Sequence, residues 1–148
     1  MKIGIANDHA ATEMKFEILQ YLESKGYEVV NFGTDSNEST DYAIWGKMLA
    51  DAVVSGTVDR GIAICGTGLG IGITCNKVKG IRAAICSESL SARYSRLHNN
   101  SNIIAFGARI IGVETAKEIV DEFLITEFEG GRHQRRVDQI KAVEEQNL

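Results

Sequence analysis

Apolar positions along the chain follow two alternating rhythms. Short, mostly apolar runs rich in β-favouring residues lie at Lys2–Asn7, Glu28–Phe32, Gly61–Cys65, Ala83–Cys86 and Asn102–Phe106. Runs without polar alternation are what strands buried on both faces of a parallel sheet require. Between them the spacing changes to threes and fours. Met14, Ile18 and Leu22 share one face of a first helix, with Gly26 as its stop. Trp45, Met48, Leu49, Ala52 and Val53 mark a second, ending near Gly56. A third is predicted to start within Gly68–Gly72 and end by Lys79, and a fourth to span about Glu88–His98 with Ser87 as N-cap. Ala116, Ile119, Val120, Phe123 and Leu124 mark a fifth, and Val137, Ile140 and Val143 a terminal sixth.

Strands alternating with helices imply right-handed crossovers. The expected fold is α/β, a doubly wound three-layer α/β/α sandwich around a five-stranded parallel, Rossmann-like sheet. No linker, repeat or low-complexity stretch interrupts the pattern, and 148 residues suit one domain, so residues 1–148 are read as a single unit. Composition narrows the function class. A content of 44% hydrophobic and 24% charged residues argues against disorder, and a net charge of −4 against a general nucleic-acid binder. Three cysteines with no C-x-x-C pair argue against a disulfide framework. The N-terminus reaches Asp8 too soon for a signal peptide, and no run of about 18 apolar residues exists, so no membrane association is expected. The expected location is the cytoplasm, with reduced thiols.

In doubly wound folds ligands bind beyond the carboxyl ends of the strands, so chemistry is sought there. Asn7-Asp8-His9 follows the first strand. It reads either as a helix-start turn or as a carboxylate and an imidazole at a ligand rim. Cys65-Gly66-Thr67-Gly68-Leu69-Gly70-Ile71-Gly72 follows the third, and its glycines match neither G-x-G-x-x-G nor G-x-x-x-x-G-K-[ST]. Small residues there would let successive backbone N–H groups converge on an anion at a helix start. Cys65 would stand at that positive end, an environment that favours the thiolate, whereas Cys75 and Cys86 read as inert packing.

His98-Asn99-Asn100 closes the fourth helix, where a histidine either compensates the helix dipole or serves a site. Arg109 follows the fifth strand. Gly130-Gly131-Arg132-His133-Gln134-Arg135-Arg136 precedes the last helix. Arg132 and Arg136 share a helix face and can close on one phosphate, which would also relieve the clash of positive charge with the helix dipole. The three histidines show no i, i+4 spacing and no acidic cluster joins them, so no metal set is expected. A thiol, an anion nest, a histidine and an arginine pair suggest chemistry on a small phosphorylated molecule.

In this order the residues resemble the type B ribose-5-phosphate isomerases, in the family these share with galactose-6-phosphate isomerases. The resemblance runs from Ile3 to about Ile140. Its motifs are Cys65-Gly66-Thr67-Gly68 with Asn76-Lys77-Val78, Gly80-Ile81-Arg82-Ala83, the His98-Asn99 turn and Gly130-Gly131-Arg132-His133. It implies interconversion of ribose 5-phosphate and ribulose 5-phosphate through an enediolate, with no cofactor. By position, Cys65 would be the base, His98 the acid that opens the furanose ring, and Thr67 a further catalytic residue. Gly66, Thr67, Gly68, Leu69 and Gly70 would line the substrate and hold the enediolate oxygens. Asp8, Tyr42 and Asn99 would meet the sugar, and His9, Arg109, Arg132 and Arg136 the phosphate. Another branch has serine for the cysteine and glutamate where this chain has Leu69, so the sequence falls in the cysteine branch. Departures from the family pattern are Ala43 for a proline, Ala11 for a glycine, and Cys75 for another small residue.

The resemblance further implies a homodimer with sites at the interface, or a tetramer of two such dimers. His98, Asn99 and Arg109 of one copy would reach the other's Cys65 loop. Two other readings stand beside this one. A six-carbon substrate, allose 6-phosphate or galactose 6-phosphate, is the first. Galactose enzymes divide the motifs between two different subunits, whereas here all occur in one chain. The second is a non-enzymatic signalling domain such as a phosphoacceptor receiver, which needs an aspartate at the end of the third strand and an acidic pair after the first. This chain has Cys65 and a single Asp8 there.

Overall fold

The computed structural model describes residues 1–147. Its strands are β1 (Lys2–Asn7), β2 (Glu28–Asn31), β3 (Arg60–Cys65), β4 (Ala83–Ile85) and β5 (Ile103–Gly107). The helices are α1 (Thr12–Ser24), α2 (Tyr42–Val54), α3 (Leu69–Asn76), α4 (Ser89–Asn99), α5 (Val113–Ile125) and α6 (Arg132–Glu144), and a short 3₁₀ turn at His9–Ala11 leads into α1. All strands pair in parallel, in the order β2-β1-β3-β5-β4. This is the expected doubly wound sandwich with one twist. β4 takes the edge and β5 the interior, whereas flavodoxins and receivers run 2-1-3-4-5.

Strand parity explains the two cores. Ile3, Ile5, Ile62, Ile64, Ile104 and Phe106 point to the face covered by α1, α4 and α5. Ala6, Ala63, Cys65, Ile103 and Ala105 point to the face covered by α2 and α3. Ile103 apart, these strand residues are large on one side and small on the other. The small side lets α2 lie close, so a Cβ on Gly4 would come within 2.8 Å of Leu49 Cδ1. The same parity turns Cys65 toward α3.

Element boundaries follow the expectation with small differences. Phe32 and Cys86 lie just outside their strands, although each still donates its N–H to the neighbouring strand, to Ile5 and Ala105 at 2.8 and 2.9 Å. Ser87 is not the cap of α4. Glu88 is, its carboxylate accepting the Ser91 N–H at 2.8 Å, because the helix begins at Ser89 and leaves Ser87 one residue short of the cap position. Ala43 stands in the first turn of α2, where proline and alanine are both accommodated. Among the described residues no helix is long and apolar enough to cross a membrane.

Two consequences of this winding position the site. The connections leave β1 and β3 in opposite directions, which opens a crevice between their carboxyl ends. By contrast, α4 returns from the carboxyl edge of the sheet to its amino edge, so its last turn lies at the opposite pole. The start of α6 joins it there, with the Glu129 N–H donating to the Leu97 carbonyl at 3.1 Å.

Candidate active site

The loop after β3 lies flat across the end of β5. Gly68 has φ +80°, and a Cβ on it would sit 2.7 Å from the carbonyl carbon of Phe106, so both conformation and space demand glycine. A Cβ on Gly107 would meet the Thr67 carbonyl carbon at 2.4 Å from the other side. In this position the Gly68 N–H donates to Cys65 Sγ at 3.1 Å. The Leu69 N–H donates to Thr67 Oγ1 at 3.2 Å. Two of the amides expected to face an anion are therefore already engaged within the loop, which corrects that part of the nest. The amides of Gly66, Thr67 and Gly70 have no internal partner among the described residues. Leu69 instead lines a separate hollow with Thr67, Ile85 and Cys86.

Beside Cys65 opens a cleft of about 290 Å³, lined by Asp8, His9, Tyr42, Gly66, Thr67, Gly70 and Arg109. Asp8 is a turn cap that also borders the cleft, one carboxylate oxygen accepting the Ala10 N–H of the 3₁₀ turn at 3.0 Å. The Thr40 amide, which can only donate, points at His9 Nδ1 at 3.1 Å. The Thr40 carbonyl lies 3.2 Å from the same nitrogen, so Nδ1 finds a partner in either tautomer. Tyr42 spreads its ring over Gly70, where a Cβ would lie 2.5 Å from the tyrosine Cζ. Arg109 lies against its own loop, its N–H donating to the Gly66 carbonyl at 2.9 Å. It was expected to reach across to a partner, and within one chain it already borders the Cys65 cleft.

A residue that sequence reasoning missed holds this wall in place. Lys15, in α1, is fully buried, and its ammonium reaches the Thr34 carbonyl at 2.8 Å, Asp35 Oδ1 at 2.5 Å and Asn31 Oδ1 at 3.3 Å. The ammonium in turn holds the Asp35 carboxyl below its usual range. Together with Thr12 Oγ1, which donates to the Ser36 carbonyl at 2.8 Å, Lys15 anchors the loop that carries Thr40 back to His9. Nothing in the local spacing distinguishes Lys15 from a solvated lysine.

The remaining candidates, His98, Asn99, Arg132 and Arg136, gather at the amino edge of the sheet. The five residues of β5, at about 3.3 Å each, put roughly 16 Å between the two edges. Arg82 and Arg96 clamp the turn after His98. Arg82 donates from Nε to the Asn99 carbonyl and from Nη2 to the Asn100 carbonyl, both at 2.9 Å, and Arg96 donates from Nη1 to Asn100 Oδ1 at 2.9 Å. These cations satisfy the carbonyl-rich end of α4. Arg82 of the Gly80-Ile81-Arg82-Ala83 motif thereby holds the turn that carries Asn99.

His98 stacks on His133, ring centroids 4.1 Å apart and planes 9° from parallel. Donor atoms of His98, Glu129 and His133 all lie within 4.8 Å of one another. The premise that no acid joins the histidines, drawn from spacing along the chain, is corrected by the fold. Even so, parallel stacked rings direct their in-plane lone pairs side by side, and these cannot converge on one ion while the stack holds. Cys75 and Cys86 are core residues, burial pushing their thiols up to about 12 and about 11.

The family model for ribose/galactose isomerases matches residues 3–140. The chain belongs to the ribose/galactose isomerase family. It is 51% identical to ribose-5-phosphate isomerase B of Escherichia coli over 97% of both chains. The solved structure of Clostridium thermocellum ribose-5-phosphate isomerase B superposes with a TM-score of 0.97, at 53% identity over 100% of both chains. Similarity extends to galactose-6-phosphate isomerase subunit LacB of Clostridium acetobutylicum, 41% identical over 98% of this chain and 83% of that one. As an isomerase of this family, the protein presents its cleft at the switch point of the sheet and its second group of candidate residues at the far edge.

Proposed function

We propose that this isomerase interconverts ribose 5-phosphate and ribulose 5-phosphate through an enediolate. The observation that carries the reading is the thiol of Cys65, aimed by the Gly68 N–H at 3.1 Å, on the wall of a cleft bordered by Asp8, His9 and Arg109. The Cys65 thiolate takes the proton from C2 of the open-chain aldose. The electron pair moves into a C1–C2 double bond, and charge collects on the oxygens. The unclaimed amides of Gly66, Thr67 and Gly70 suit that charge, and such donors are worth about 3 kcal/mol each to an oxyanion transition state. Return of the proton at C1, with the hydroxyl proton passing from O2 to O1, gives the ketose.

The His9 imidazole and the Arg109 guanidinium would receive the phosphate, and Asp8 and Tyr42 the sugar hydroxyls. Phosphate anchoring supplies binding energy far from the reacting carbons. The acid that opens the furanose ring is His98 of a second copy, because one chain holds His98 an entire strand length from its own Cys65. Asn99, Arg132 and Arg136 travel with it and complete the sugar and phosphate contacts. The working unit is a homodimer with two composite sites. Assay of a panel of pentose and hexose phosphates tests the reading. Efficient turnover of ribose 5-phosphate supports it. Preference for allose 6-phosphate, or for the galactose 6-phosphate named for the LacB relative, would replace it.

A further inference from the structure

His98 is held on both sides. Its imidazole lies flat on His133 at 4.1 Å, and the Tyr94 ring closes against it at 4.9 Å with a tilt of 48°. His133 is only 4% exposed. Its backbone N–H donates to the Gly130 carbonyl at 3.0 Å, which ties the ring to the start of α6. Gly130 and Gly131, at φ +68° and +55°, make the tight entry that brings this helix onto the end of α4.

The chemistry of the position is unusual for packing. His133 Nε2 is buried without a hydrogen-bond partner, 3.4 Å from Glu129 Oε2. A leucine would fill the space without stranding a polar atom. A flat, rigid ring is what leucine cannot supply.

We propose that His133 is a positioning residue for His98: its buried ring is the platform that fixes the plane of His98 and the direction in which His98 presents its proton to the cleft of a second copy. The proposal rests on the reading of His98 as ring-opening acid. A general acid must lie within hydrogen-bond reach of the oxygen it protonates, so a ring free to rotate spends most of its time misdirected. The groups facing His133 support the role. Burial, together with the charges of His98, Arg132 and Arg136, lowers its affinity for a proton against the opposing pull of Glu129. A neutral platform does not repel the proton that His98 carries.

The test is a double-mutant cycle in the full-length protein, assayed on ribose 5-phosphate and on a four-carbon aldose phosphate that cannot close a furanose ring. His133→Ala should lower kcat on ribose 5-phosphate about tenfold, with KM changed less than about twofold, and leave the four-carbon substrate nearly untouched. His133→Phe restores a flat ring and should return kcat to within about threefold of the parent. In a His98→Ala background, His133→Ala should cost nothing further, because a residue acting only through His98 has nothing left to position. His133→Leu, which fills the space without a flat ring, replaces the alanine variant should that fail to fold. Multiplicative losses in the double variant, equal losses on both substrates, or a phenylalanine variant as impaired as alanine would overturn the proposal. The ring-opening assignment fails separately. If His98→Ala alone hurts both substrates equally, that assignment is wrong, while non-additivity would still establish that His133 acts through His98.

Discussion

The Gly68 amide donates to the Cys65 sulfur at 3.1 Å, across a loop that only glycine at that position can close. One interaction thus joins backbone conformation to the proposed chemistry. The positive φ of Gly68 bends the chain, and the bend delivers an N–H to the thiol and the thiol to the cleft. The alternating glycines are required by close packing on different neighbours, Gly68 on Phe106, Gly70 on the Tyr42 ring and Gly72 on Ile85, and the amides left over are fewer than the sequence pattern suggested.

Cys65→Ala should abolish isomerisation while leaving the fold and phosphate binding intact. Iodoacetamide should inactivate the parent with one label per chain, because burial pushes the Cys75 and Cys86 thiols up to about 12 and about 11. A competitive sugar phosphate should protect. Substantial activity in a folded alanine variant, seen by direct assay of ketose formation, would rule out the thiolate base.

Lys15→Met should raise KM for the sugar phosphate about tenfold with a smaller change in kcat, the roughly 1.4 kcal/mol expected when a buried charge-assisted anchor is lost. The ammonium ties down Thr34 and Asp35, and the same loop returns Thr40 to His9. An unchanged KM in steady-state kinetics would show that the loop holds His9 without it.

Arg132→Ala and Arg136→Ala should likewise weaken substrate chiefly through KM, since charge-assisted phosphate contacts bind ground and transition states alike. Both side chains are exposed at the start of α6, remote from the Cys65 cleft of their own chain. Parent enzyme that turns over unphosphorylated ribose as well as ribose 5-phosphate would remove this role.

His133 gives a pH dependence with a definite sign. Its folded affinity for protons lies below the ordinary value of 6.5, so the unfolded chain binds more protons between the folded value and 6.5. This contribution to stability is intact above about pH 6.5 and is lost as pH falls through the folded value. The groups setting it are buried surroundings first, then His98, Arg132 and Arg136 against Glu129, with Tyr94 closing over His98. Thermal denaturation at pH 7.5 and 5.5 should show a larger loss for the parent than for His133→Phe. Identical losses would place the ring in contact with solvent.

Much of this was readable along the chain. Strand runs separated by helical spacing specify a parallel α/β sheet, and the places of Asp8, His9 and Cys65 beside the cleft were legible because each lies at the end of a strand or just past it. Other features depend on contacts between distant segments. The exchange of β4 and β5 in the sheet order is a matter of which strands pair, β5 with both β3 and β4, which no local pattern records. Lys15 looks like a surface lysine until the loop from Thr34 to Asp35 folds over it. His98 and His133 are 35 positions apart, and only the approach of α6 to the end of α4 stacks them.

The most direct test of the shared site comes from mixing two inactive variants. Cys65→Ala and His98→Ala homodimers are each defective at both sites. In a mixed dimer, one site collects both lesions and the other collects neither. Random exchange makes half the dimers mixed, so ribose 5-phosphate isomerase activity should recover to roughly a quarter of the parent's. A sample shown by mass spectrometry to have exchanged subunits, yet still inactive, would contradict a site built from both copies.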